Sequence, residues 1–181
     1  AIEALLTGGL ALPEGVAFEG DCSDMTMYAA LTKRTGDNAF ELRVTDAGGT
    51  EVYQEDIAAG DNSGVIYFDF DPGAGASNAT EELAPGTYTF SLYPVVGEVL
   101  SETPVNSLSL TVTRLTFDAN GGTPDPEDIF AAQGDTAELP SVTLTGKRLS
   151  GWETAEGELF SKTIDIANGA PLALALTARW R

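Results

Sequence analysis

The sequence predicts a mainly β protein built as two domains, and three observations predict it. Apolar and polar residues alternate with a period of two over much of the chain, turn-forming clusters separate the alternating runs, and the charge composition shifts near Arg114. Alternation at that period gives a strand one buried face and one wet face.

The alternating or β-rich runs are MTMYAALT (25–32), FELRVTD (40–46), TEVYQEDI (50–57), GVIYFDFD (64–71), TYTFSLYP (87–94) and SLSLTVT (107–113). Between them lie TGDN, DAGGT, AGDNSG and ELAPG. These clusters supply the positive φ angles, the fixed proline φ and the Asx hydrogen bonds that turns need. Asp46-Ala47-Gly48-Gly49 is short enough to join its flanking strands as a hairpin. Short strands with a turn roughly every 8–12 residues form the pattern of an antiparallel sandwich. In Leu83-Ala84-Pro85-Gly86-Thr87-Tyr88 a tyrosine opens a strong strand just after a Pro-Gly turn. That arrangement resembles the tyrosine corner of immunoglobulin-like and fibronectin-like sandwiches, in which the hydroxyl bonds back to the preceding backbone. The cysteine pair and core tryptophan of antibody domains are absent. The expectation for residues 1–113 is therefore an immunoglobulin-like antiparallel β-sandwich.

Residues 1–113 carry 18 acids and 3 bases, a net of −15, whereas residues 114–181 carry 10 acids and 6 bases, a net of −4. The join, LTVTRLTF, contains no Gly, Pro or Ser linker, so two strands run nearly into each other and a stiff, extended connection is expected.

The second segment opens with a strand, Leu115-Thr116-Phe117-Asp118, followed by Ala119-Asn120-Gly121-Gly122. Asn-Gly is a strong turn signal because both residues tolerate positive φ. Asp125-Pro126-Glu127-Asp128 places acids where they favour the start of a short helical turn. Gly134 and Leu139-Pro140 punctuate the middle, and a strand candidate, Lys147-Arg148-Leu149-Ser150, precedes Gly151-Trp152. The closing LALALTARW puts Leu172, Leu174, Leu176 and Ala178 on one face, continued by Trp180.

At these spacings FDANGG, LP, GW and LTARW resemble the Listeria–Bacteroides repeat, the B-repeat module of internalin-type proteins. The residues that carry the resemblance are Phe117, Asp118, Asn120, Gly121, Gly122, Gly134, Leu139, Pro140, Gly146, Gly151, Trp152, Ala178 and Trp180, within a stretch of 68 of the 181 residues. The family's usual aromatic between Gly146 and Gly151 is replaced by Lys147-Arg148-Leu149-Ser150, and its tyrosine after Gly-Trp by Glu153. The resemblance implies that residues 114–181 form a small β-grasp-like domain of secreted or wall-anchored bacterial proteins, commonly in tandem, acting as spacer or interaction module. It also implies that these residues serve the fold: Asn120-Gly121-Gly122 make the turn, and Phe117, Trp152 and Trp180 form the core. The competing role for Trp152 is a sugar-stacking platform.

Composition restricts the chemistry. The 181 residues hold 28 acids, 9 bases and no histidine, for a net charge of −19. A surface this negative repels phosphate backbones and anionic head groups, so neither nucleic acid nor an anionic membrane is an expected partner. Without histidine, Ser-His-Asp and Cys-His catalysis have no base. The single cysteine, Cys22, has no internal disulfide partner and reads as a small buried apolar group, with a stray thiol as the alternative. No run approaches the roughly 18 apolar residues of a membrane span. The opening AIEALLTGGLALPEG lacks the basic start of a secretory signal.

Paired acids recur at Asp69/Asp71, Glu55/Asp56, Glu81/Glu82 and Asp125/Asp128, in loops or on wet strand faces, and read as a solvated acidic surface. The sharper alternative is calcium at Asp69-Phe70-Asp71-Pro72-Gly73 with Asn78, because hard cations take several loop oxygens. An internal isopeptide bond would need Lys33, Lys147 or Lys162, with Asn106 a conceivable partner for Lys33. No P-loop, Gly-x-Ser-x-Gly or Asp-x-Asp-x-Asp-Gly motif is present.

The expected function is a non-catalytic, cofactor-free module of a cell-surface or secreted bacterial protein, acting as stalk, spacer or adhesin. Its partners would be a host or matrix protein or glycan, together with further domains of the same chain. The alternative is a carbohydrate-binding accessory module of a larger secreted enzyme, which requires exposed, coplanar aromatics such as Tyr53, Tyr67 or Tyr93.

Overall fold

A computed structural model describes residues 17–23, 26–32, 39–59, 65–70 and 84–181. The described chain is mainly β, and no helix occurs in it. Its strands are β1 (Ala17–Ser23), β2 (Thr26–Thr32), β3 (Ala39–Thr45), β4 (Glu51–Ile57), β5 (Val65–Phe70), β6 (Gly86–Val96), β7 (Val99–Leu100), β8 (Asn106–Asp118), β9 (Ile129–Ala132), β10 (Thr136–Glu138), β11 (Leu149–Glu153), β12 (Leu159–Phe160), β13 (Thr163–Asp165) and β14 (Ala173–Trp180). The chain divides into two compact units, Ala1–Asp21 with Thr26–Leu110, and Cys22–Met25 with Thr111–Arg181. The division falls inside β8. The two runs read from the sequence as successive strands on either side of Arg114 are one continuous strand.

In the first unit β3 lies between β4 and β6, antiparallel to both. Phe40, Leu42 and Val44 on β3 stand opposite Pro94, Leu92 and Phe90 on β6. Directly opposed residues share a face, and the three β3 side chains are at most 1% exposed. The neighbouring strand β8 adds two hydroxyl pairs on the exposed side of β6: Thr89 with Ser109 at 3.0 Å and Ser91 with Ser107 at 2.9 Å. β2 lies between β1 and β5 and pairs antiparallel with β5 from Met27↔Phe70 to Thr32↔Val65, and Met27 and Leu31 are fully buried.

The β3–β4 hairpin turns where Asp46-Ala47-Gly48-Gly49 was expected to turn it. One oxygen of the Asp46 carboxylate accepts the backbone N–H groups of Gly48 and Thr50, both at 2.9 Å. The Gly49 N–H donates to the Asp46 carbonyl at 3.0 Å, with Gly49 at φ +80°. The aspartate thus supplies the acceptor that a tight turn cannot find in its own backbone.

The second unit has a mixed sheet. β14 runs parallel to β8, from Ala173↔Arg114 to Thr177↔Asp118. β9 is antiparallel to β8 on its other side, and β11 is antiparallel to β14 and to β12. β10 and β13 form a small antiparallel pair of their own. The core gathers Leu115, Ala131, Ala137, Val142, Trp152, Ile164, Ile166, Leu176 and Ala178, with Phe117 and Trp180 packed against it.

Two local expectations are corrected. Residues 125–128 form no helical turn; Asp128 instead turns to Arg114, whose Nε donates to its carboxylate at 2.7 Å. A charge-assisted bond to a strand residue outweighs the small gain of an acid beside a single helical turn. Leu172 lies before β14 and is 45% exposed, so the buried face of the closing strand begins only at Leu174.

Candidate functional site

The residues of the FDANGG motif converge on the closing strand. Phe117 meets Trp152 edge to face, with ring centroids 5.0 Å apart and planes at 70°. Such aromatic pairs contribute beyond their buried area. The Asp118 carboxylate accepts the Asn120 N–H at 2.8 Å and the Ala119 carbonyl accepts the Gly122 N–H at 2.9 Å, which closes the turn. Asn120 sits at φ +48° and Gly121 at φ +84°. The left-handed region tolerates asparagine and suits glycine. The Asn120 side-chain amide then reaches across to the Ala178 carbonyl at 3.1 Å. From the other side the Trp180 indole N–H is shared between the carbonyls of Ala119 (3.2 Å) and Asn120 (3.1 Å).

Trp152 is completely buried and its indole N–H donates to the Pro140 carbonyl at 3.0 Å. A buried indole must satisfy that donor, and Leu139-Pro140 presents the carbonyl. The ring therefore has no face available for stacking on a sugar. At Gly151, φ is +149°, and a β-carbon there would collide with the Phe160 carbonyl. Gly151 marks a register shift in the β11–β14 ladder, which aims Trp152 inward.

Gln133, which sequence patterning did not single out, links β9 to the approach of β14. Its side-chain N–H donates to the Ala170 carbonyl at 2.8 Å, and its carbonyl accepts the Gly169 N–H at 2.8 Å. Nearby the buried hydroxyl of Thr113 donates to the Pro171 carbonyl at 3.2 Å. A glutamine within a run of small residues carries no signal of so distant a partner.

Tyr88 places its hydroxyl 3.0 Å from the Ala84 carbonyl and donates to it. Burial, and secondarily the negative charge of Asp46, hold its pKa above the ordinary tyrosine value. On the opposite face of β3, Glu41 is 8% exposed and forms an ion pair with Arg43. The Arg43 guanidinium also lies 5.0 Å from the centre of the Tyr93 ring. The hydrogen bond to Glu41 raises the Arg43 pKa further. Glu41 stands opposite Tyr93, and Val44 stands opposite Tyr53. Glu41 and Val44 are three residues apart, so Tyr53 and Tyr93 project from opposite faces of the sheet and cannot share a binding plane. The Tyr53 hydroxyl donates to the Glu55 carboxylate at 2.5 Å.

The members of the acidic pairs differ in their surroundings. Glu55 is half-buried and Asp56 exposed, and Asp125 is exposed while Asp128 is held by Arg114. Among the described residues no three His, Cys, Asp or Glu side chains come together as a metal-binding group. Asp71, Glu81, Glu82, Asn78 and Lys33 lie outside the described residues, as do the side chains of Cys22, Tyr67 and Asp69. Asn106 uses its side-chain oxygen to accept the Ser107 N–H at 2.8 Å, and Lys147 and Lys162 are exposed. Open grooves occur among the described residues of each unit. One in the first unit is floored by Phe40, Ile57, Val95 and Leu100; one in the second is lined by Leu139, Pro140, Leu149 and Lys162. No helix among the described residues is long and apolar enough to cross a membrane.

The fold and these contacts define a β-rich scaffold whose distinctive residues are spent on turns and packing. No protein-family model matches the chain, and no curated protein is significantly similar to it.

Proposed function

We propose that this chain is a non-catalytic module of a cell-surface or secreted bacterial protein, acting as a stalk, spacer or adhesin. The observation that carries the reading is the convergence of Phe117, Asp118, Asn120, Gly121, Gly122, Trp152 and Trp180 on one seam. Each serves a turn or a packing contact, Gly121 through its own positive φ and the others through a partner, as expected of a Listeria–Bacteroides repeat whose signature encodes a scaffold. The parallel β8–β14 pair in a mixed sheet fits the β-grasp-like reading of the second unit. The Tyr88 hydroxyl bond to the Ala84 carbonyl fits the immunoglobulin-like reading of the first. A scaffold with a strongly acidic surface, at −19, also suits a protein that must stay soluble and unaggregated while extended from a cell.

The test is localisation. Antibodies against the purified chain should label intact cells of the source organism, or detect the protein in the culture medium. Labelling that appears only after cells are lysed, with none in the medium, would overturn the proposal.

A further inference from the structure

We propose that the second unit is a shear clamp, a force-resisting element built on the β8–β14 seam. The first long strand of that unit and its last are neighbours and run parallel, paired from Ala173↔Arg114 to Thr177↔Asp118. In a parallel pair the amino end of one strand lies beside the amino end of the other. A load entering β8 at its amino end and leaving β14 at its carboxyl end therefore acts at opposite ends of the seam. It slides the strands along each other, and all the pairings must yield together. A load applied to the carboxyl ends of both strands opens the same seam from one end, one bond after another.

The seam is reinforced beyond its backbone ladder at both ends. At the amino end Arg114 N–H donates to the Leu172 carbonyl at 2.8 Å and the Thr113 hydroxyl to the Pro171 carbonyl at 3.2 Å. At the carboxyl end the Asn120 amide holds the Ala178 carbonyl, and the Trp180 indole holds the carbonyls of Ala119 and Asn120. Side chains thus lock each end against the first step of sliding, while Leu115 and Leu176 in the middle are buried. The clamp follows from strand order and these bonds; its use as a force-bearing stalk rests on the surface-module reading above.

Single-molecule force spectroscopy of the full chain tests it by changing only the direction of pull. A C-terminal handle is paired with a second handle at Glu102, an exposed residue ahead of β8, or at Asp125, an exposed residue beyond the carboxyl end of β8. Matching thermal midpoints for the two handled proteins establish that both carry the same fold, with exposed Glu127 as the replacement position if the handle at residue 125 lowers the midpoint. Forced rupture reports the unfolding barrier along the pulled direction, and the Glu102 geometry should break in one event at roughly twice the force of the Asp125 geometry or more. Thr113→Val, which keeps the shape of the buried side chain and loses the hydroxyl bond to the Pro171 carbonyl at the amino end, should lower the Glu102 force and leave the Asp125 force, which loads the carboxyl end first, nearly unchanged. Equal forces in the two geometries would overturn the clamp and leave the surface-module reading intact. A failure to label cells would remove the stalk role and leave the force ratio as it is.

Discussion

The indole of Trp180 occupies the space that a side chain on Gly122 would need: a β-carbon built at residue 122 would stand 2.5 Å from the ring's Cζ2. The second glycine of the FDANGG motif is thus required by a residue 58 positions later, whereas Gly121 is required by its own backbone at φ +84°. Two adjacent glycines answer to two different physical constraints.

Gly122→Ala should therefore destabilise the chain by about 1–3 kcal/mol through overpacking against the indole. Trp180→Leu in the same chain should recover part of that loss, because the obstructing ring is gone. Urea unfolding of the two single variants and the double variant measures the coupling. Strictly additive effects would show that the ring is not the obstacle.

At Gly151 the obstacle is backbone. The Phe160 carbonyl cannot swing aside as a side chain does, and φ of +149° is strained for any other residue. Gly151→Ala should cost at least about 2 kcal/mol, and no single side-chain truncation nearby should restore it. A thermal melt that matches the unsubstituted chain would contradict the geometry.

Trp152→Ala removes the largest fully buried side chain and leaves Phe117 without its aromatic partner. The expected cost is about 3–5 kcal/mol. Trp152→Phe keeps most of the volume but orphans the Pro140 carbonyl, and should cost less than the alanine variant. Calorimetry of both decides, and a stable alanine variant would refute the core assignment.

Tyr88 makes the alkaline limb of stability specific. Its folded pKa is raised, so the folded chain holds the phenolic proton more tightly than the unfolded chain does. That contribution is complete below the unfolded value of about 10 and is lost as pH rises through the folded value. Tyr88→Phe should lose about 1 kcal/mol near neutrality with the hydrogen bond to Ala84. It should also show a shallower fall in urea midpoint above about pH 10 than the parent. An identical alkaline slope in both proteins would dismiss the role of this hydroxyl.

Asp46→Ala removes the acceptor for the Gly48 and Thr50 N–H groups and should cost about 1 kcal/mol, an effect Asp46→Asn should largely avoid. Thermal midpoints of the two variants test it, since equal losses would mean that the side-chain acceptor contributes nothing.

Much of this architecture is local and hence legible in one dimension. Alternation placed β2, β3, β4, β5, β6 and the strand through residues 107–113, because a period of two is a property of a strand's own faces. Asp46 to Gly49 and Asn120 to Gly122 could be read as turns because their backbone demands fall on the residues that make them. What only the tertiary structure decided are the relations between distant segments. Short strands such as β9, β12 and β13, of two to four residues, are too brief to show a period. That β8 continues unbroken through Arg114, that it pairs in parallel with β14, and that Gln133 ties the Gly169–Ala170 turn depend on partners tens of residues away. So does the reason for Gly122. A glycine can be read from the chain as permission for a close approach, but the ring that makes the approach is chosen by the packing.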